Sequence, residues 1–323
     1  MPDVQLLLEP WLLAFVLATG LALGCLGLLM VGHLLGESWL HPVRSELEAG
    51  ARTVPLAGLL GVPLAFGLAD LYPWAASEPL AGALLPPARA AYLEPTFFLA
   101  RSAAYFVLWT ALAGWITRPG EHPRVAALGL ALLVPTVGLA SIDWIKSREL
   151  EWWSTLYPLA FSVTQLLGAM ALAILVTLVR PGHVPAERVL DLSKVLLSLA
   201  LLALWLWFAQ FLIAWLGNLP GEVAWYLARF KGWLGLNLAV LLPTLALGLA
   251  LLIPPHAGRR RLVAAAALLL AHHVAHMLWL VRPGATRAPA LHWLDPLALL
   301  AFGLLWLGPF LYGLRQRPNV PAH

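Results

Sequence analysis

The chain has 323 residues, of which 61% are hydrophobic and 11% charged, and its mean hydropathy is +0.82. Soluble globular domains carry about 25% charged residues, so a soluble fold is excluded and the chain reads as a polytopic membrane protein. The net charge of +4 arises from basic residues scattered through short loops rather than gathered in a stripe, which argues against a nucleic-acid partner and for a lipid bilayer.

Nine apolar runs, near 11–35, 53–73, 95–117, 124–144, 153–179, 190–217, 232–253, 261–281 and 291–314, are long enough to cross a bilayer core as helices. In lipid a helix satisfies its own backbone, so the predicted fold is all-α: a transmembrane helix bundle forming one domain over 1–323. No Lys or Arg precedes Arg44, so the first run lacks the basic flank of a cleavable signal peptide and is expected to stay as a helix. Gly20, Gly24 and Gly27 give it a face for close helix packing. Residues 37–52, beginning at Glu37, are predicted to form an interfacial helix, Trp39 and Leu47 toward lipid and Glu46 and Glu48 toward water. The longest link, 74–94, contains Pro79, Pro86 and Pro87. Pro63, Pro135 and Pro243 fall inside spans, where each removes a backbone donor. The run 195–216 ends in the turn signal Gly217-Asn218-Leu219-Pro220, after which a short Trp/Tyr-rich helix is expected before the seventh span.

Eleven arginines, from Arg44 and Arg52 to Arg315 and Arg317, fall in the odd-numbered links and the C-terminal tail. Seven basic residues, among them Lys146, Arg148, Arg229, Arg282 and Arg287, fall on the other side. The positive-inside rule then places the N-terminus outside and the C-terminus in the cytoplasm. The Trp-rich and acidic loops lie on the outer side.

A charge inside a bilayer is costly, so each one needs a reason. Asp70 and Arg101 fall at similar depth near the outer side, either as a salt bridge between helices or as a proton or quinone-headgroup site. Asp143 is either an interfacial carboxylate or the mouth of a proton path. Asp191 and Lys194, three apart on one helix face, are either an ion pair or a cytoplasmic proton-uptake point. Gln165 and Gln210 either bond neighbouring helices together or line a polar channel. His276, on the face of His272, is either a packed histidine or a proton relay. The histidines offer no matching pair of haem ligands on two helices. The single cysteine, Cys25, excludes a disulfide framework, a cysteine-ligated iron–sulfur cluster and a CxxCH haem site within the chain. No nucleophile elbow, HExxH, Walker A or GxGxxG pattern occurs in a fitting context, so no self-contained catalytic or metal site is expected.

Two long blocks carry a family resemblance. The first is Asp191-Leu192-Ser193-Lys194, then Phe208 to Pro220, then Glu222, Trp225-Tyr226 and Arg229. The second is Asp143-Trp144, Ser147, Glu149, Trp152 and Ser154-Thr155. With the shorter stretches Gly67 to Trp74 and Leu278 to Pro283, they resemble the F-type membrane subunit of bacterial alternative complex III, in the NrfD/polysulfide-reductase-like group. The chain departs from that pattern at Glu151, where a histidine is common, at Gly221, which replaces a glutamate, and at His276, which stands where an acid is expected. It also looks one N-terminal helix shorter than typical members.

The resemblance implies an NrfD-like bundle in the bacterial cytoplasmic membrane, part of a quinol:cytochrome c oxidoreductase. Its partners would be a multihaem c-type cytochrome, an iron–sulfur protein and a second NrfD-like membrane subunit. It implies no covalently bound cofactor, quinone or menaquinone as a candidate bound molecule, and a part in quinol binding or proton conduction, for which the intramembrane polar residues Asp70, Arg101, Asp143, Gln165, Asp191, Lys194, Gln210 and His276 are the candidates on the reading of the residues themselves. The alternatives are a non-catalytic anchor for those partners and an independent transporter, for which the sequence offers no clear polar substrate cavity.

Overall fold

A computed structural model of the chain describes residues 2–36, 38–76, 85–284 and 291–316. Glu37, Pro79, Arg287 and Arg317 lie outside them. Among the described residues there is no strand. The helices are α1 (Pro2–Leu35), α2 (Leu40–Ala51), α3 (Val54–Phe66), α4 (Leu68–Leu71), α5 (Pro87–Tyr92), α6 (Pro95–Ile116) and α7 (Pro123–Trp144). They continue as α8 (Tyr157–Val179), α9 (Ala186–Gly217), α10 (Pro220–Leu236), α11 (Leu242–Leu252), α12 (Arg259–Val281) and α13 (Leu294–Gln316). Nine helical stretches of the described residues are long and apolar enough to cross a membrane, so the chain is an all-α multi-pass membrane bundle.

The first helix is the axis of the bundle. In its most apolar window 94% of residues are buried, against 44% or less in most other spans, and α2, α3, α7, α8 and α13 all pack on it. Its glycines make the close approach work. Gly20 lies against the Gln165 side chain, Gly24 against the Gln165 backbone carbonyl and the Ala169 methyl, and Gly27 against Leu166. A side chain at any of these would push α8 away from α1.

Three elements differ from the sequence reading. The segment at 40–51 is not an interfacial helix: Trp39, Leu47, Glu46 and Glu48 are all buried, and α2 packs on α1, α8 and α13. Arginines make this tolerable by answering the acids. Arg180 reaches Glu46 at 2.9 Å, and Arg44 reaches Glu48 at 2.9 Å with Arg52 at 3.7 Å. With α3, α2 forms one candidate crossing, Leu40–Phe66. The first helix begins before residue 11, which brings Glu9 inside the bundle.

Finally, no separate short helix precedes the seventh span. Asn218, left-handed at φ 46°, caps α9, Pro220 opens α10, and the helix then runs to Leu252. A π-helical turn at Asn237–Leu241 interrupts it just before Pro243, whose ring lacks the N–H and would crowd the Ala239 carbonyl in a regular helix.

The alternation of spans gathers one set of helix ends together. The starts of α1, α6, α8, α10 and α13 share an end with the finishes of α4, α7, α9 and α12, and most of the tryptophan-rich loops lie there. This is called the Trp-rich end below.

Gly24→Ala tests the axial role of α1, because its new methyl would meet the Gln165 carbonyl and lie 2.8 Å from the Ala169 methyl. A loss of about 1–3 kcal/mol is expected, read as a lower melting temperature in mild detergent; an unchanged melt would contradict the packing.

Candidate functional site

At the Trp-rich end the chain buries arginines and answers them with acids from other helices. Arg148, just past α7, donates to both carboxylate oxygens of Glu9 at 2.5 and 2.6 Å and to the Val281 carbonyl at 3.0 Å. Arg282, at the end of α12, stands 3.8 Å from Glu9 and 3.2 Å from Asp295. Asp295 also accepts from the His292 amide at 2.8 Å, which fixes the start of α13. Arg229 on α10 donates to Glu149 at 3.0 Å and to the Leu280 carbonyl at 3.1 Å, with its guanidinium 3.6 Å from the Trp225 ring. Each guanidinium thus ties two or more spans together.

A fourth pair lies beside them. Arg101 makes a two-pronged contact with Asp143, at 2.9 and 3.0 Å, and donates to the Tyr92 carbonyl at 2.9 Å. The Tyr105 hydroxyl adds a bond to Asp143 at 3.1 Å. Asp143 is fully buried. Burial and the Asp143 charge push the Tyr92 phenol up to about 12, so it stays protonated at neutral pH.

This corrects the expected pairing of Asp70 with Arg101. The second span breaks at Gly67 and turns into α4, so a depth counted along one straight helix misplaces Asp70. Asp70 is half-buried on α4, and the carboxylate that meets Arg101 comes from the end of α7.

The 143–155 and 208–229 blocks dock onto each other. Besides Glu149 on Arg229, the Trp152 and Trp225 rings stack at 4.2 Å. Ser154 donates to the Gln210 carbonyl oxygen at 3.1 Å, and the Gln210 amide donates to the Tyr226 hydroxyl at 3.2 Å. Ser147 receives the Trp74 indole N–H at 3.1 Å, and the Tyr72 hydroxyl donates to the Trp144 carbonyl at 3.0 Å. Gln210 is therefore a bonded link between helices.

The remaining proton-path candidates do not form one chain with these. His276 is buried, edge-on to Trp207 at 4.7 Å and stacked on His272 at 5.8 Å. Gln165 on α8 bonds the Phe161 carbonyl at 3.3 Å and the Met277 sulfur at 3.6 Å. Its Oε1 and the His276 Nδ1 have no hydrogen-bond partner among the described residues. Asp191 and Lys194 do pair, at 3.9 Å, but at the opposite end of the bundle and half-exposed, with Arg188 at 3.6 Å from the same carboxylate. Sixteen residues of α9, about 24 Å of rise, separate Lys194 from Gln210.

A cavity of about 740 Å³ lies between α1, α3 and α6. Its walls include Phe15, Leu59, Val62, Phe106, Val107 and Trp144. Leu59, Val62 and Val107 are also exposed on the flank of the bundle, so the cavity opens sideways at membrane depth. Its inner wall carries Ser102, whose hydroxyl receives the Trp144 indole N–H at 3.1 Å. Arg101 and Asp143 are the chain neighbours of Ser102 and Trp144. Among the described residues no group of three His, Cys, Asp or Glu is arranged to hold a metal ion.

Sequence reasoning missed Glu9 and Asp295, and gave Arg148, Arg229 and Arg282 no role beyond loop charges and, for the last two, places in the resemblance blocks. One signal was present: these arginines and acids all fall at span ends on the same side of the membrane. No family model matches the chain, and no curated protein matches it.

Arg148→Gln is expected to lose about 3–5 kcal/mol because it leaves the interior Glu9 with only the more distant Arg282, at 3.8 Å, against it, and Glu9→Gln in the same chain should return part of that loss. Lys194→Gln should change stability by under about 0.5 kcal/mol. Equal melting of the two single variants would contradict the burial difference.

Proposed function

We propose that the chain is an integral subunit of a respiratory quinol:cytochrome c oxidoreductase in a bacterial cytoplasmic membrane, with its N-terminus outside. In this reading a multihaem c-type cytochrome, an iron–sulfur protein and a second NrfD-like membrane subunit carry the electrons. This chain supplies a quinone-binding surface, a proton route, or both. The supporting observation is the side-opening cavity lined by Ser102 and Trp144, the chain neighbours of Arg101 and Asp143, which with Tyr105 form a buried charged cluster. Its volume lies within the roughly 300–1,000 Å³ of small-molecule sites, and its lining suits a prenyl chain.

Phe15, Leu59, Val62, Phe106 and Val107 would hold that chain, with the Ser102 hydroxyl as the nearest small polar group on the wall. A quinol bound there supplies electrons to the partner centres and protons to the protein. Arg101 holds the Asp143 carboxylate in place with two N–H bonds, and the Tyr105 hydroxyl donates to Asp143 Oδ2. Gln165 Oε1 and His276 Nδ1, which have no hydrogen-bond partner among the described residues and sit on the adjacent helices α8 and α12, support a hydrated polar route further in, since buried polar atoms of this kind are met by internal water.

A second reading, a non-catalytic anchor, is favoured by the closure of the ion pairs: Glu9, Asp143 and Glu149 each already hold an arginine.

The two readings separate in membranes from cells lacking the protein, complemented with wild type or Asp143→Asn. A functional site predicts quinol-dependent cytochrome c reduction at least about tenfold lower in the variant, with partner subunits still assembled. Wild-type rates in an assembled complex would leave only the anchor. No quinol-dependent difference between deleted and complemented membranes would remove the respiratory reading altogether.

A further inference from the structure

The loop after α7 places two cations on one indole, and no described carboxylate answers them. Lys146 Nζ stands 3.3 Å from the centroid of the Trp153 ring and 5.8 Å from that of Trp152. The Arg89 guanidinium, from α5, stands 4.4 Å from the same Trp153 ring. Arg89 spends one N–H on the Leu150 carbonyl at 2.7 Å, and its other donors meet no acceptor among the described residues. Lys146 is only 3% exposed, yet its ammonium makes no hydrogen bond or ion pair with any described residue. An ammonium offers three donors, and enclosing it without an anion is costly.

The nearby acids are taken. Glu149 is held by Arg229 at 3.0 Å, Glu9 by Arg148 at 2.5 Å and Asp143 by Arg101 at 2.9 Å. Glu151, the remaining acid of the loop, is exposed and makes no ion pair among the described residues. Among the described residues, this corner therefore holds two basic side chains with no carboxylate in ion-pair range.

Its depth indicates the anion. Trp153 is 52% exposed just before the start of α8, and the lipid-facing flank of that helix begins with Leu159 at 46%. Half-exposed tryptophan at a span end sits at the boundary between headgroups and hydrocarbon. Phospholipid phosphates fill that level. Lys binds phosphate as a point charge and Arg through its fork of N–H groups. We infer that Arg89 and Trp153, with Lys146 enclosed against the same indole as a charge behind them, form a binding site for the phosphate of an annular phospholipid. The lipid completes the charge balance of the loop and holds the α5 segment against the start of α8. The site stands independently of the respiratory reading.

The test is native mass spectrometry of the detergent-solubilised full chain titrated with phosphatidylglycerol. Lys146→Arg is expected to bind as the wild type does. Arg89→Gln, at a half-buried position, should weaken binding about fivefold, and Lys146→Gln/Arg89→Gln further, with one fewer co-purified lipid. Equal lipid number and affinity in wild type and a folded Arg89→Gln would overturn the site. Competition by inorganic phosphate at the same concentration as the lipid would make the ligand a soluble anion and overturn the lipid assignment. Unchanged lipid binding with loss of a co-purifying protein in Arg89→Gln would give the cations to a protein carboxylate and overturn it likewise.

Discussion

A guanidinium taken out of water needs a carboxylate at hand, and the Trp-rich end of this bundle is arranged by that requirement. Arg148, Arg229 and Arg282 are each 4% exposed or less, and each reaches an acid on another part of the chain. Glu9 draws the start of α1 to the ends of α7 and α12. Asp295 draws in the start of α13, and Glu149 the start of α10. Breaking one pair leaves a charge with no route to water. These contacts therefore fix which helix ends are neighbours more firmly than apolar packing does, since lipid solvates apolar faces as well as protein does. The glycine face of α1 then sets how closely the spans approach below the layer.

The opposite end uses charge differently. There Arg52 and Arg44 donate to the carbonyls of Thr117 and Gly120 and share Glu48, while Arg259 donates to the Leu178 carbonyl. These arginines are partly exposed and cap helix ends. Glu46 and Glu48 are the buried partners, and they let α2 pack inside the bundle. One end is thus a closed electrostatic layer and the other a set of caps. Lys146 and Arg89, which no described carboxylate answers, lie at the first of these ends.

The number of spans was legible because a run of about twenty apolar residues has few alternatives in lipid. Gly20, Gly24 and Gly27 were legible as a packing face for the same reason. Ends were not. Residues 40–51 look amphipathic and so read as interfacial, because their buried acids are answered by arginines distant in sequence, above all Arg180. Arg148, Arg229 and Arg282 read as solvated loop charges, since a charge at a span end normally reaches water. Asp70 and Arg101 seemed level because the break at Gly67 has no strong signature. The 143–155 and 208–229 blocks were legible as motifs. That they dock through Glu149–Arg229 and Trp152–Trp225 depends on the fold bringing α7 and α10 together, which local spacing does not encode.

The central functional claim is membership in a respiratory assembly. It is met most directly by purifying the tagged protein from its native membrane in mild detergent and recording a reduced-minus-oxidised visible spectrum with mass spectrometry of the co-purifying chains. The account predicts c-type haem bands together with multihaem cytochrome and iron–sulfur subunits in fixed proportion to this chain. A colourless, solitary protein, with lipid still bound and the fold intact, would contradict it.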